Sequence, residues 1–369
     1  MKAIGIHIPG WLYRSDASIR RFARELQKTI DESGRYKAVT LSLTRLTLSS
    51  KEEARRFCSD NDLSLIVEHD SSLCSTDPKY KLNIGFLRNV VPFANQQESH
   101  ELGFDKRATK RVLREQGIPV LDDVIATSLP ELMAAMAEER WYVGKPIDQG
   151  AGAGVKLLRK SEGKLHEYRG GSWFETKAFE RSIRGRNRIV LGNHSQTLNF
   201  ALAVVAVASF IGAFLISGFL VPGLLLSMLV TFLLVREYEK GYAYESIMLE
   251  PYFNDDSSGF SSYRATVIGN QIVETVKRTN EKNITSNVSK GGTAVSAELS
   301  EEQQQIVLAA KDAIGADYAG VDLLVCGGKT VVGEVNVGPI TVYSKYTGVP
   351  VGVLLGKHLM DRCDQLAVH

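Results

Sequence analysis

Cysteine is scarce and scattered in this sequence: Cys58, Cys74, Cys326 and Cys363 make no close pair. That spacing argues against a conventional zinc knuckle and suits a reducing compartment. Net charge is nearly absent as well. The 44 Lys and Arg residues against 42 Asp and Glu leave +2, so no global basic field recommends nucleic acid as a partner. No low-complexity segment or internal repeat occurs, and the phosphate loop GxxxxGK[ST] is missing. The seven histidines form no motif, and no Ser–His–Asp or Cys–His set stands out. The opening MKAIGIHIPGW holds too short an apolar run for a signal peptide and reads as a strand.

The longest absence is that of charge. Between Arg188 and Arg236 no Lys, Arg, Asp or Glu occurs, and residues 200–235 form an apolar run of 36 with only Ser209, Ser217, Ser227 and Thr231 as hydroxyl residues. A helix needs roughly 20 residues to cross the hydrocarbon core. Gly218, Pro222 and Gly223 interrupt the run, which predicts two legs, 198–218 and 222–235. Arg181, Arg184, Arg186 and Arg188 precede the block, and Arg236 and Lys240 follow it. Basic flanks on both sides place both ends on the inner face. The expectation is a membrane-seeking helical hairpin over 191–236, with the lipid bilayer as partner through 198–235. The protein would then sit at the cytoplasmic face of the inner or plasma membrane. The competing reading of the block is a buried helical pair.

What is present suits a folded chain of two or three units: 369 residues, 44% hydrophobic and 23% charged, with 32 glycines. The fold class expected is α/β, with α+β subdomains. Strand–helix alternation marks an α/β domain over 1–100. KAIGIHI, YKAVTLSL and SLIVEHD read as strands, and Ile19, Phe22, Leu26 and Ile30 fall at helical spacing. A second domain over 101–358 opens with a helix capped by Asp105, and Ser128 with Glu131 forms another helix start. Hairpins are expected at Gly269–Asn270 and Gly327–Gly328. Residues 359–369 form a tail.

Four features carry chemistry. Lys145 ends an apolar strand just before a turn with Gly150, Gly152 and Gly154, where backbone amides can approach phosphate oxygens. Glu334 and Asn336, two apart on one strand, face the same side. Asp322 can meet them across the Gly327–Gly328 turn, making a hard-cation site for magnesium. Arg264 and Arg278, taken as lying at opposite ends of one hairpin, can hold a carboxylate or a phosphoryl group. Asn287, with Gly291 and Gly292, can form a loop over the same anionic centre.

The order of these pieces resembles the ATP-grasp superfamily, especially the RimK-like glutamate and carboxylate–amine ligases. The matching segments are DKRATKRVLREQGIPV, VGKPIDQGAGAGV, LEPYF, YRATVIGNQIVETVKR, NVSKGG and AGVDLLVCGGKTVVGEVNVGP, with D-x11-E-x-N spacing in the last. The resemblance implies an ATP-grasp fold and an ATP- and Mg2+-dependent ligase working through an acyl phosphate, with Mn2+ as an alternative metal. It assigns Lys106 and Lys145 to the phosphates and Gly150, Gly152 and Gly154 to a covering loop. Glu250, Pro251, Tyr252 and Phe253 would line the adenine. Asp322, Glu334 and Asn336 would hold the metal, and Arg264, Arg278 and Asn287 would face the γ-phosphate and the acceptor. Carboxylate and amine substrates, amino-acid-like, are the implied partners, and a homo-oligomer fits such enzymes. Glutamate added to a membrane-proximal acceptor is the sharpest form of the reading. A small-molecule kinase and a non-catalytic nucleotide-binding module are its competitors. The departure from the family is the long insertion between the glycine turn and LEPYF, carrying the uncharged block within the lid.

Overall fold

The structure, a computed structural model, describes residues 1–8, 13–14, 17–43, 45–69, 78–147, 154–169, 171–183, 185–192, 242–254, 260–281, 284, 286, 288, 291–338 and 343–368. The chain divides into two compact units, 1–121 with 253–369, and 122–252.

In the first unit, strands β1 (Ala3–His7), β2 (Lys37–Leu41), β3 (Leu63–Glu68) and β4 (Phe93–Ala94) form a parallel sheet in the order β2-β1-β3-β4. All five residues of β1 are buried, as a parallel strand covered on both faces requires. The helix Ala17–Glu32 buries Ile19, Phe22, Leu26 and Ile30, the four positions its spacing predicts. The helix Val351–Val368 packs beside it and brings Leu355, Leu359, Met360 and Cys363 into the same core. Residues 359–368 therefore continue a helix that closes the N-terminal core.

The second unit is antiparallel. Strands β5 (Val124–Ala126), β6 (Trp141–Pro146), β7 (Lys156–Ser161), β8 (Lys164–Arg169), β9 (Ser172–Glu175) and β13 (Ile247–Pro251) run in the order β5-β13-β6-β7-β8-β9. A three-stranded sheet of β10 (Lys177–Ile183), β11 (Arg186–Gly192) and β12 (Tyr242–Tyr244) completes the unit. Leu132 and Met136 from the helix side share its core with Leu158, Ile189, Tyr244 and Leu249.

The first unit also carries the sheet that matters most for function. Strands β14 (Phe260–Ile268), β15 (Gln271–Asn280), β16 (Thr293–Ser296), β17 (Tyr318–Cys326) and β18 (Lys329–Val337) pair antiparallel in the order β16-β15-β14-β17-β18. Both predicted hairpin turns are present. Gly327 and Gly328 have φ of 57° and 74°, the double left-handed conformation that suits a two-residue hairpin. One face of this sheet is apolar: Ala265, Val267, Val321, Leu323 and Val335 pack with Val307 and Ala310 of the helix Glu301–Ala313. Alternation then turns Arg264, Thr266, Asp322, Glu334 and Asn336 to the opposite face.

One expectation is corrected. The architecture is mixed α/β, but among the described residues no helix is long and apolar enough to cross a membrane. The hairpin expected over 191–236 falls almost wholly on 193–241, which lie outside the described residues. The membrane-seeking hairpin, the bilayer partner through 198–235 and the place at the membrane's cytoplasmic face are withdrawn. They rested on hydropathy and on the basic flanks, which count apolar and charged residues without showing what covers them.

Candidate functional site

The polar face is ordered in rows across neighbouring strands. Arg264 on β14 lies opposite Asp322 on β17, which lies opposite Glu334 on β18. In the next row, Ser262 lies opposite Arg278 of β15. Arg264 and Arg278 are therefore neighbours on one face and not at opposite ends of the hairpin, because the hairpin turn folds β15 back against β14.

Both guanidinium groups close on Asp322. Arg264 donates through Nε to Oδ1 and through Nη2 to Oδ2, the latter at 2.9 Å. Arg278 Nη2 lies 2.9 Å from Oδ1. Arg278 is in turn steadied by Ser262, whose Oγ accepts from Nε at 3.1 Å and from Nη2 at 2.7 Å. Burial opposes ionisation of Asp322, but the two arginines prevail and hold its carboxyl below the usual range. Burial likewise opposes the Arg264 cation, and Asp322 more than offsets it, so the guanidinium stays charged.

Glu334 stands directly opposite Asp322 and is half-buried, with no ion pair among the described residues. Two positions on, the Nδ2 of Asn336 is buried with no hydrogen-bond partner among the described residues. That NH2 end donates and cannot ligate a cation, but the Asn336 Oδ1 and the Glu334 carboxylate, two residues apart on the same face, are oxygen donors of the kind magnesium takes. No cluster of three or more His, Cys, Asp or Glu suited to a metal occurs among the described residues. Magnesium does not require such a cluster, since it is usually held by one or two carboxylates with substrate phosphates and water completing its octahedron. Asp322, Glu334 and Asn336 fit the group on this ground, with Asp322 already shared by two arginines.

Lys106 opens the helix Lys106–Glu115 in the first unit. Asp105 caps it, accepting from the backbone of Arg107 and Ala108. Phe253, also in the first unit, is half-buried. In the second unit Lys145 on β6 forms an ion pair with Glu250 on β13 at 2.5 Å, with the Glu250 carboxylate almost fully buried. Pro251 ends β13, and the Tyr252 backbone N–H donates to Trp141 O at 2.9 Å while their rings lie 5.5 Å apart. Gly154, at φ of 70°, has no room for a side chain: a Cβ there would meet Pro146 at 2.8 Å. Gly150, Gly152 and Asn287 lie outside the described residues.

Glu274 of β15 was not among the expected site residues. It lies opposite Thr266, on the polar face, and is buried. Burial pushes its carboxyl above the usual range, against the opposing pull of Thr347, Thr266 and Arg264. Counting back by twos from Arg278 through Val276 reaches it, so strand alternation held the signal.

With this geometry in place, comparison with solved structures decides the fold. Over 99% of this chain and 98% of the other, the structure is similar to D-alanine–D-alanine ligase from Bacillus anthracis complexed with ATP, with a TM-score of 0.52 and 15% identity. It is similar in the same way to a RimK domain ATP-grasp protein from Sphaerobacter thermophilus, with a TM-score of 0.54 and 14% identity, covering 97% and 99% of the two chains. The chain has the ATP-grasp fold. Residues 234–357 match the RimK-like ATP-grasp domain. That stretch of the ATP-grasp fold includes Glu250, Arg264, Arg278, Asp322, Glu334 and Asn336. Among curated proteins, the tetrahydromethanopterin:alpha-L-glutamate ligase of Methanococcus maripaludis is 38% identical over 93 residues, covering 25% of this chain and 32% of that protein. The chain spans about a third of the length of the curated relatives it matches.

Proposed function

We propose that the protein is an ATP- and magnesium-dependent carboxylate–amine ligase that joins an amino acid, such as glutamate, to a carboxylate acceptor. The observation that carries this reading is the row Arg264–Asp322–Glu334 with Arg278 beside it: two cations and two carboxylates on the polar face of one sheet. Such a face suits a multiply charged phosphate better than a neutral ligand.

In this reading the substrate carboxylate attacks the γ-phosphorus of ATP, giving an acyl phosphate and ADP. The amine then attacks the acyl carbon, forming the amide and releasing phosphate. Magnesium, when bound, supplies charge neutralisation on the transferring phosphoryl group. Asp322, Glu334 and Asn336 would hold it. Lys106 and Lys145 are assigned to the phosphates, with Gly150, Gly152 and Gly154 covering them, and Glu250, Pro251, Tyr252 and Phe253 to the adenine. Arg264 and Arg278, with Asn287, orient the carboxylate and stabilise charge on the oxyanion. Asp322 keeps the two guanidinium groups side by side before substrate arrives, so little reorganisation is left to the reaction. No nucleophilic side chain is required.

The test is ADP release by the purified protein with Mg2+, ATP and a panel of carboxylate and amine pairs. Ligation requires both co-substrates and yields an amide. A phosphorylated product formed without amine would replace the ligase by a kinase, and MgATP binding without turnover in any pair would remove the catalytic reading.

A further inference from the structure

Strand β10 lies at an edge of its sheet: in the order β10-β11-β12 only β11 pairs with it among the described residues. It is seven residues long, whereas β2, β4, β5, β9, β12 and β16, the other edge strands, have two to five. The edge strand β18 is longer, but Val120 meets it at Val332. A long row of unpaired main-chain N–H and C=O groups is a template for a further strand.

The side chains of β10 divide between two faces. Ala178 lies opposite Leu191 on the core side, whereas Lys177, Phe179 and Arg181 turn outward. Lys177 and Arg181 are exposed, and Phe179 between them keeps 39% of its surface in water. On this outer face Arg181 lies directly opposite Arg188, with Arg186 two residues from Arg188 on the same strand. Like charges placed opposite each other are unfavourable. Glu245 answers two of these cations: its Oε1 accepts from Arg186 Nη1 at 3.1 Å and from Arg188 Nη2 at 2.8 Å. Lys177 and Arg181 make no ion pair among the described residues. The chain as a whole is nearly neutral at +2, so this positive surplus is local.

A second copy of this chain suits the edge poorly. Two-fold pairing of β10 with itself runs antiparallel, and the register that joins the two Phe179 rings sets Lys177 opposite Arg181 of the other copy. Cation then meets cation at both ends. An acidic strand reverses both contacts. We propose that β10 docks an extended acidic peptide segment of a partner protein, which adds to the sheet as a fourth strand. Main-chain pairing supplies the attachment and alternate side chains supply the choice of partner. The partner segment therefore carries an apolar residue against Phe179, with Asp or Glu two positions before it and two after it to meet Lys177 and Arg181. That pattern reads the same in both chain directions, so parallel and antiparallel docking both satisfy it. The surface is independent of the ligase reading, since it uses no residue assigned to ATP, metal or substrate.

The test is fluorescence anisotropy of a dye-labelled capped peptide, Thr-Glu-Thr-Val-Thr-Glu-Thr, titrated with the full-length protein. Saturable binding is expected. The double variant Lys177→Glu, Arg181→Glu should weaken it at least tenfold and should instead bind Thr-Lys-Thr-Val-Thr-Lys-Thr. If circular dichroism shows that this variant does not fold, Arg181→Gln replaces it, with at least a threefold loss expected for the acidic peptide. Strand addition is tested in the ligand, which leaves the protein untouched. Two acidic peptides, N-methylated on alternate sets of amides, should differ at least tenfold, because one set faces β10 and the other faces water. No binding of the acidic peptide, or equal binding to the charge-altered variant, overturns the proposal. Equal binding of the two N-methylated peptides overturns the added strand. An oligonucleotide of the same charge bound as tightly as the peptide overturns it too, by showing a general polyanion surface.

Discussion

At the scale of single residues, Asp322 and Glu334 face each other across two strands but do different work in the fold. Asp322 compensates two guanidinium groups that have little access to water. Asp322→Ala leaves both cations without their anion and should destabilise the protein by about 3–5 kcal/mol. Glu334 makes no ion pair among the described residues, so Glu334→Gln should change stability by no more than about 0.5 kcal/mol. On the ligase reading it should still lower ADP release by about 100-fold or more. Urea denaturation beside an ADP-release assay separates the two effects. Buried imidazoles set the acid response. Burial lowers His69 and His100 to about 4, with His7 adding to the effect at His69, and Glu68 opposing it at His100. The unfolded chain takes up protons on these rings near pH 6.5, so between the two values the unfolded state binds more protons. Their contribution is complete above pH 6.5 and falls as pH drops toward 4, by up to about 3 kcal/mol per ring. Urea midpoints measured from pH 7.5 to pH 5 should decline accordingly, and His69→Phe should flatten the decline.

At the scale of elements, two helices test packing against propensity. Replacing glycine by alanine inside a helix usually stabilises by about 1 kcal/mol. At Gly352 a Cβ would meet Phe22 O at 2.5 Å and Leu26 N at 3.1 Å, both main-chain atoms of the facing helix. Backbone cannot step aside as a side chain can, so Gly352→Ala should instead destabilise by about 1–3 kcal/mol, read from the thermal midpoint. The helix Glu301–Ala313 begins with a reciprocal box, Ser300 accepting from Gln303 N at 3.2 Å and Gln303 accepting from Ser300 N at 3.0 Å. Ser300→Ala should cost about 1 kcal/mol in the same measurement. The pattern read at Ser128 and Glu131 is only half a box. Ser128 caps Glu131 N, but the Glu131 carboxylate turns to Thr127.

At the scale of the whole molecule, the parallel N-terminal sheet and the antiparallel sheet of β14–β18 share one unit through the helix Val351–Val368. Chain termini are thus part of the scaffold that supports Asp322 and Glu334. A ligand that binds only the folded state adds stability by mass action. MgATP at 100 times its dissociation constant should add about 2.7 kcal/mol, visible as a rise in melting midpoint. Glu334→Gln should remove most of that rise, and addition of a chelator should abolish it.

Local rules made much of this legible. Periodicity marked Ile19, Phe22, Leu26 and Ile30 as a buried stripe, paired glycines marked the turn at Gly327–Gly328, and a spacing of two put Glu334 and Asn336 on one side. These features depend on residues a few positions apart, which local geometry constrains directly. Hydropathy had no comparable constraint to offer for 191–236. A low charge density states what a segment avoids, not what packs against it.

The amino-acid sequence by itself determined the strands, their turns and the identity of the charged groups that stand on the polar face. Tertiary structure alone decided that Arg264 lies opposite Asp322, which is 58 residues away, that both arginines share that carboxylate, and that Glu274 is buried on the same face. The physical reason is that pairing and register between remote strands follow from how two faces pack together. No short stretch of chain carries that information.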